Sequence, residues 1–247
     1  MIKKILLSTI GISLMLSASA CSEKEADKVG DAQRCLDEYS NKGAGDLNSC
    51  LTKIDGIETA AAYNIRCAVG YLKEDFTTQS FIQAFEEIET ISGPNVINFL
   101  DRMTFDKAGT TGAAVAENFN TASAVYNYCA KSKGKGATIL ATFTFLVNAL
   151  YDYECKGAPP LLGSCQMNDT TVLATGLGAA LLDNGASGAE LKSSLGTIVI
   201  STNQISCESG EANKTLCEFL DRSITNAGGP ENTTQVGHEF LQVLTSP

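Results

Sequence analysis

Residues 137–151 read ATILATFTFLVNALY, the most hydrophobic run of the chain beyond its first 21 residues. Fifteen residues exceed the usual four to eight of a strand, so the run reads as helix. It is apolar nearly all round, which predicts a helix buried on every side. A membrane span needs roughly 20 predominantly apolar residues. This run is shorter and carries Thr138, Thr142, Thr144 and Asn148. The expectation is a central core helix surrounded by others.

The flanking segments supply those others. Upstream, Val115, Phe119, Ala122, Tyr126 and Cys129 fall on one side of a helix over about 113–131. Before it, Asp106–Gly112 is a Gly/Thr loop and the expected internal boundary of a domain spanning 31–247. Lys131, Lys133 and Lys135 occupy the Gly-containing turn into the central helix. Such a basic cluster could meet a phosphate, but it reads first as a solvated helix end favoured by the macrodipole. Downstream, Cys155 ends the central helix, Gly157-Ala158-Pro159-Pro160 breaks the chain, and Cys165 follows.

Small residues fill the next helix, about 171–182. Its Gly176-Leu177-Gly178 has no preceding strand and lacks the third glycine of a dinucleotide loop. Close helix packing is the expected role. Ser187-Gly188-Ala189-Glu190 reads as a capping box opening a helix that carries Leu191, Leu195, Ile198 and Ile205. Within it Thr197–Ile200 is β-branched, but the helical face continues through it. Cys207 precedes the turn Glu208-Ser209-Gly210, and Cys217 lies in the next helix with Leu216, Phe219 and Leu220. A last helix, about 233–244, packs through Val236, Phe240, Leu241 and Leu244.

Toward the N-terminus, Ala32, Cys35, Leu36 and Tyr39 share a helical face over about 31–40. After a Gly turn, Asp46 caps a second helix on which Leu47, Cys50, Leu51 and Ile54 repeat the spacing. A third helix, about 59–73, places Tyr63, Cys67 and Tyr71 four apart; a fourth, about 78–91, has Phe81, Ala84, Phe85 and Ile88 on one face. The fold class is therefore all-α: antiparallel helical hairpins, tetratricopeptide-like or an irregular bundle, stapled by disulfides. The sequence Ala62-Tyr63-Asn64-Ile65, with Ala68, Tyr71, Phe76, Phe85 and Pro94-Asn95, resembles a tetratricopeptide helix pair. The resemblance covers about a quarter of the chain and implies a concave binding groove, with Tyr63, Tyr71 and Phe81 as its candidate lining.

The first 21 residues point to a destination. Lys3 and Lys4 precede an apolar run, and Ala18-Ser19-Ala20 supplies small residues before Cys21. That is the layout of a cleavable secretory signal peptide over residues 1–20. Ala18-Ser19-Ala20-Cys21 also resembles the lipobox of bacterial lipoproteins, although Ala18 stands where that family prefers Leu. The resemblance implies acylation of Cys21, and Ser22 after it implies delivery to the outer membrane, periplasmic or surface face unspecified. Residues 21–30, charged and polar, then read as a lipidated cysteine and flexible tether.

Cysteine parity agrees with the lipobox. The chain has nine cysteines. Setting Cys21 aside leaves an even set, which in an exported protein reads as a disulfide framework. Facing helices at tight turns select Cys35–Cys50, Cys155–Cys165 and Cys207–Cys217, and elimination selects Cys67–Cys129.

The formal charge of −10 falls to −12 when Lys3 and Lys4 are removed. An acidic body argues against nucleic acid and against direct adsorption to anionic lipid. No cofactor or metal site is expected. The one histidine, His238, lies off the apolar face of its helix, and no C-x-x-C, P-loop or calcium loop occurs. Asp152 and Glu154, two apart, do not share a helical face. The expectation is a non-enzymatic, outer-membrane-anchored binding or scaffold module for a protein or peptide partner. The alternatives are a hydrolase with a distributed carboxylate site and a structural envelope lipoprotein.

Overall fold

The computed structural model describes residues 24–39, 46–76, 94–156, 165–207 and 214–245. They form ten helices and, among the described residues, no strand. In chain order these are α1 (24–39), α2 (Leu47–Lys53), α3 (Ala60–Lys73), α4 (Pro94–Arg102) and α5 (Ala113–Ser132). They continue with α6 (Lys135–Lys156), α7 (Thr170–Leu182), α8 (Ala186–Ser206), α9 (Lys214–Asn226) and α10 (Thr233–Thr245). The protein is all-α.

Helix α6 is the axis of the molecule. Residues 138–152 are buried without interruption, and α4, α5, α7 and α8 pack around them. Burying polar side chains at such positions costs free energy unless each finds a partner. The Thr142 hydroxyl meets that of Thr202 on α8 at 2.6 Å, and Thr144 Oγ1 meets the Tyr71 hydroxyl on α3 at 3.2 Å. Thr138 donates to the Gly134 carbonyl, and Asn148 Nδ2 donates to that of Thr144. The threonines that disqualify the run as a membrane span are thus hydrogen-bonded positions of a core helix. Aromatic rings fill the layer around them: Phe99 against Phe143 at 5.0 Å, and Phe119 against Phe145 at 5.3 Å.

Two apolar clusters share α3. One face of this helix, through Ala62, Ile65 and Val69, packs with Ala32 and Leu36 of α1, Leu47 of α2, and Ile54 and Ile57. Another face, through Cys67 and Tyr71, joins the main core around α6. The second cluster extends from Cys67 to Leu244, on both sides of the 106–112 loop. That loop is pinned to the core by the buried Asn118 side chain. Its Oδ1 accepts from the Ala108 amide, and its Nδ2 donates to the Gly109 carbonyl at 2.7 Å.

Four disulfides join Cys35 to Cys50, Cys67 to Cys129, Cys155 to Cys165 and Cys207 to Cys217, with Cα separations of 4.9–5.5 Å. These are the pairs that turn geometry and elimination select.

Two local expectations are corrected. Residues 24–30, most of the segment read as a flexible tether, 21–30, are helical and belong to α1. The composition of Lys24-Glu25-Ala26-Asp27-Lys28 explains it: Glu, Lys and Ala are strong helix formers, and this exposed run needs no burial to continue the helix that Val29 and Ala32 anchor. The Ser187–Glu190 capping box does not form. Helix α8 starts at Ala186 after Gly185, with Ser187 already inside it. Gly185 stands at the N-cap position without a side-chain cap, and Asp183 fixes the turn before it: its Oδ1 accepts from the Gly185 amide at 2.6 Å.

Candidate functional site

The contacts around α3 sort the molecule into two chemically different ends. Helix α2 runs antiparallel to α3: Lys73 Nζ reaches Asn48 Oδ1 at one end, and Arg66 donates to the Ile54 and Ile57 carbonyls toward the other. Helix α1 is bridged to α2 through Cys35–Cys50 with only residues 40–46 between the two helices, a connection length typical of an antiparallel pair, which would set α1 parallel to α3. Helix α5 runs antiparallel to α3, bridged through Cys67–Cys129, with Tyr63 beside Lys131 near the end of α5. The start of α3 and the α5–α6 turn therefore lie at one end, and the start of α1 joins them in the antiparallel α1–α2 arrangement.

That end is basic and aromatic. The rings of Tyr63 and Tyr128 stack with centroids 6.4 Å apart. The Arg66 guanidinium lies 5.1 Å and the Lys131 ammonium 5.0 Å from the Tyr63 ring centre, where the ring's negative face attracts cations. Arg66 is held in place because its two terminal nitrogens donate to the Ile54 and Ile57 carbonyls in the turn that follows α2. Lys133, the left-handed residue that closes α5, is exposed nearby. Lys131 lies in the last turn of α5, where a cation offsets the helix dipole.

The opposite end is acidic. Glu74 accepts from the Lys107 backbone amide, Asp75 pairs with the Lys107 ammonium, and Asp106 accepts from Asn168 at 2.7 Å. Burial raises the Glu74 carboxyl above its ordinary range, and the neighbouring Asp106 and Asp75 add to the rise, with the Lys107 amide opposing it. Among the described residues no group of three or more His, Cys, Asp or Glu is arranged to hold a metal ion.

The three aromatics expected to line a groove do not form one described surface. Tyr63 is half-buried at the basic end. Tyr71 is a core residue, 2% exposed, edge-on to Phe76 and Phe105 at 5.5 Å each. It shares a helical face with Cys67, and that face turns into the main core. Phe81, like Phe85 of the tetratricopeptide resemblance and Cys21 of the lipobox, lies outside the described residues. Pro94 lies in α4.

The remaining sequence candidates are dispersed. His238 is half-buried rather than exposed, because it flanks the tight α8–α10 packing, and it has no polar partner among the described residues. Gly176 is a close approach: a Cβ there would sit 3.3 Å from the Leu150 carbonyl oxygen. Gly178 faces open space and is not. Asp152 pairs with Lys156 at 2.6 Å. Glu154, 6% exposed, has no hydrogen-bond or ion-pair partner among the described residues, and its burial raises its carboxyl above the usual range.

A carboxyl whose folded-state value is raised loses stability as pH climbs through its unfolded value, because charging it is harder in the fold. Glu154→Gln is therefore expected to raise the urea midpoint at pH 7, with the gain fading as pH falls below the ordinary glutamate range. A gain that is the same at acid and neutral pH would refute this reading of Glu154.

In comparisons with family models, with curated proteins and with solved structures, no match to this chain was found.

Proposed function

We propose that the chain is an outer-membrane lipoprotein, anchored through acylated Cys21, whose disulfide-stapled helical body serves as a binding or scaffold module for a protein or peptide partner of the envelope. The observation that carries this reading is cysteine accounting. Four bridges take up the eight cysteines that follow Cys21, so the cysteine at the end of the leader is the one left over. Two or more acyl chains anchor stably, where one gives only marginal binding. Helix α1 suits the same reading, since residues 24–39 form a helix stapled to the body that is described to within three residues of the proposed lipid.

Mass spectrometry of the mature N-terminal peptide tests the anchor. The expected result is a chain beginning at Cys21 with a diacylglyceryl thioether. An unmodified Cys21, or a start elsewhere, sinks it. Crosslinking in intact envelopes tests the module: a discrete partner is expected for the native chain and is lost when Cys21→Ala releases it from the membrane.

A hydrolase with scattered carboxylates is the competing reading, and Glu154 is the feature that favours it. Turnover of an ester, glycoside or peptide substrate that disappears in Glu154→Gln would establish that reading instead.

A further inference from the structure

We infer that the basic, aromatic end of the body is a membrane-facing surface that engages anionic lipid headgroups. The inference rests on the proposed acylation of Cys21 for its placement, and on the structure for its chemistry.

Placement follows from topology. Cys21 lies three residues before the described part of α1, and the short α1–α2 connection sets α1 parallel to α3. An anchor at Cys21 therefore brings the start of α3 and the α5–α6 turn toward the bilayer, not the opposite end.

Charge decides what that end can meet. On the first turns of α1, Lys24 and Lys28 offset Glu25 and Asp27, and near the end of α2 Lys53 stands against the exposed Asp55 and Glu58, one acid more; Glu23 adds another. Arg66, Lys131 and Lys133 outnumber those two acids, leaving a local positive charge in an acidic chain, and none of these three forms an ion pair with a described residue. The acidic groups Glu74, Asp75 and Asp106 lie beyond the far end of α3, a helix of 14 residues, or roughly 20 Å of rise. A Debye length of about 8 Å at physiological salt screens them from the lipid surface. Net charge governs a freely diffusing chain and opposes adsorption. Local charge governs one already held at the surface. Tyr63 and Tyr128 complete the match, since amphipathic rings concentrate at headgroup depth, where one edge is apolar and the other wet.

The chain contains no tryptophan, so Tyr128→Trp places a single fluorescent reporter in this face and keeps an aromatic ring beside Tyr63. The full-length acylated chain is reconstituted into phosphatidylcholine vesicles with and without phosphatidylglycerol, each doped with a brominated lipid. The expected result is several-fold stronger quenching in the anionic vesicles. It is abolished by high salt and by Lys131→Gln/Lys133→Asn, in which Asn suits the left-handed position. Equal quenching in both vesicles, or none in either, overturns the inference. Should Tyr128→Trp fail to fold, amide exchange over 60–66 and 128–134 in the unsubstituted chain reads the same contrast. The acyl mass at Cys21 and vesicle flotation report the anchor separately. If Cys21 proves unacylated, its thiol is coupled to a maleimide lipid in the same vesicles, so that the chain is held at the surface as the argument requires. Salt-sensitive quenching stronger in the anionic vesicles then supports the face, and equal quenching in both overturns it.

Discussion

Gly196→Ala is expected to destabilise the protein by about 3 kcal/mol, at the upper end of what overpacking costs. Helices α8 and α10 cross with their backbones almost in contact. A Cβ on Gly196 would lie 1.8 Å from the Thr233 carbonyl oxygen, and one on Gly237 would lie 1.9 Å from the Lys192 carbonyl oxygen. Both obstructions are backbone, so no side chain can swing away and the helices must separate. Separation would open the layer formed by Leu195, Val199, Val236, Phe240 and Leu241, all buried. Against a typical total of about 5–15 kcal/mol, that is a large share. Gly237→Ala should behave alike. The double variant should lose less than the sum, because one displacement relieves both clashes. Gly178→Ala is the control: its Cβ meets nothing within 4 Å, and the better helix former should gain up to about 1 kcal/mol. Urea unfolding followed by far-UV circular dichroism measures all four. A Gly196→Ala midpoint as high as that of Gly178→Ala would show that the crossing is not close.

The same pair of glycines shows where sequence reading stops. Gly196 and Gly237 are single residues inside helices, 41 positions apart, and nothing local says that they face each other. Helix α6 was legible because a continuous apolar run with hydrogen-bonding threonines has one good solution, burial on all sides. The short disulfides were legible because each spans a turn between helices that must be neighbours. Exposed charge at the start of α1 suits both a helix and a tether, and only the buried residues beyond it decide. The start of α8 is set at Gly185, where the turn held by Asp183 leaves Ser187 already inside the helix. Tyr71 lies one helical turn from Cys67, a residue expected to be bridged and inward, and that spacing argues for core and against the groove that the tetratricopeptide resemblance implies. The basic, aromatic end was half-written in the same bridge: Tyr63 lies one turn before Cys67, and Lys133 one turn after Cys129. Only the antiparallel packing of α3 and α5 brings them to one end.

That bridge carries the second large effect. Removing it as Cys67→Ala/Cys129→Ala is expected to cost about 4 kcal/mol. The chain-entropy argument scales with the logarithm of the closed loop, and this loop has a sequence separation of 62. Removing Cys207–Cys217, with a separation of 10, should cost about 3 kcal/mol by the same argument. The two losses should differ in kind as well as size. Cys67 and Cys129 are both buried, at 3% and 0% exposure, so their sulfurs also fill space between α3 and α5. More important is what α3 connects: one face holds the cluster with α1 and α2, another holds the main core. With the bridge gone, α3 keeps its packing on α5 but loses the covalent restraint. The N-terminal cluster should then open before the rest of the molecule. Native-state hydrogen exchange reads this directly. Amides of α1 to α3 should exchange several-fold faster, while those of α6 and α8 follow global unfolding. If α1 to α3 stay as protected as α6, the two clusters unfold as one unit, and the bridge reinforces a junction that packing alone already holds. If they open early, the Cys67–Cys129 bond is what makes the segment following Cys21 move with the body that it is proposed to hold at the membrane.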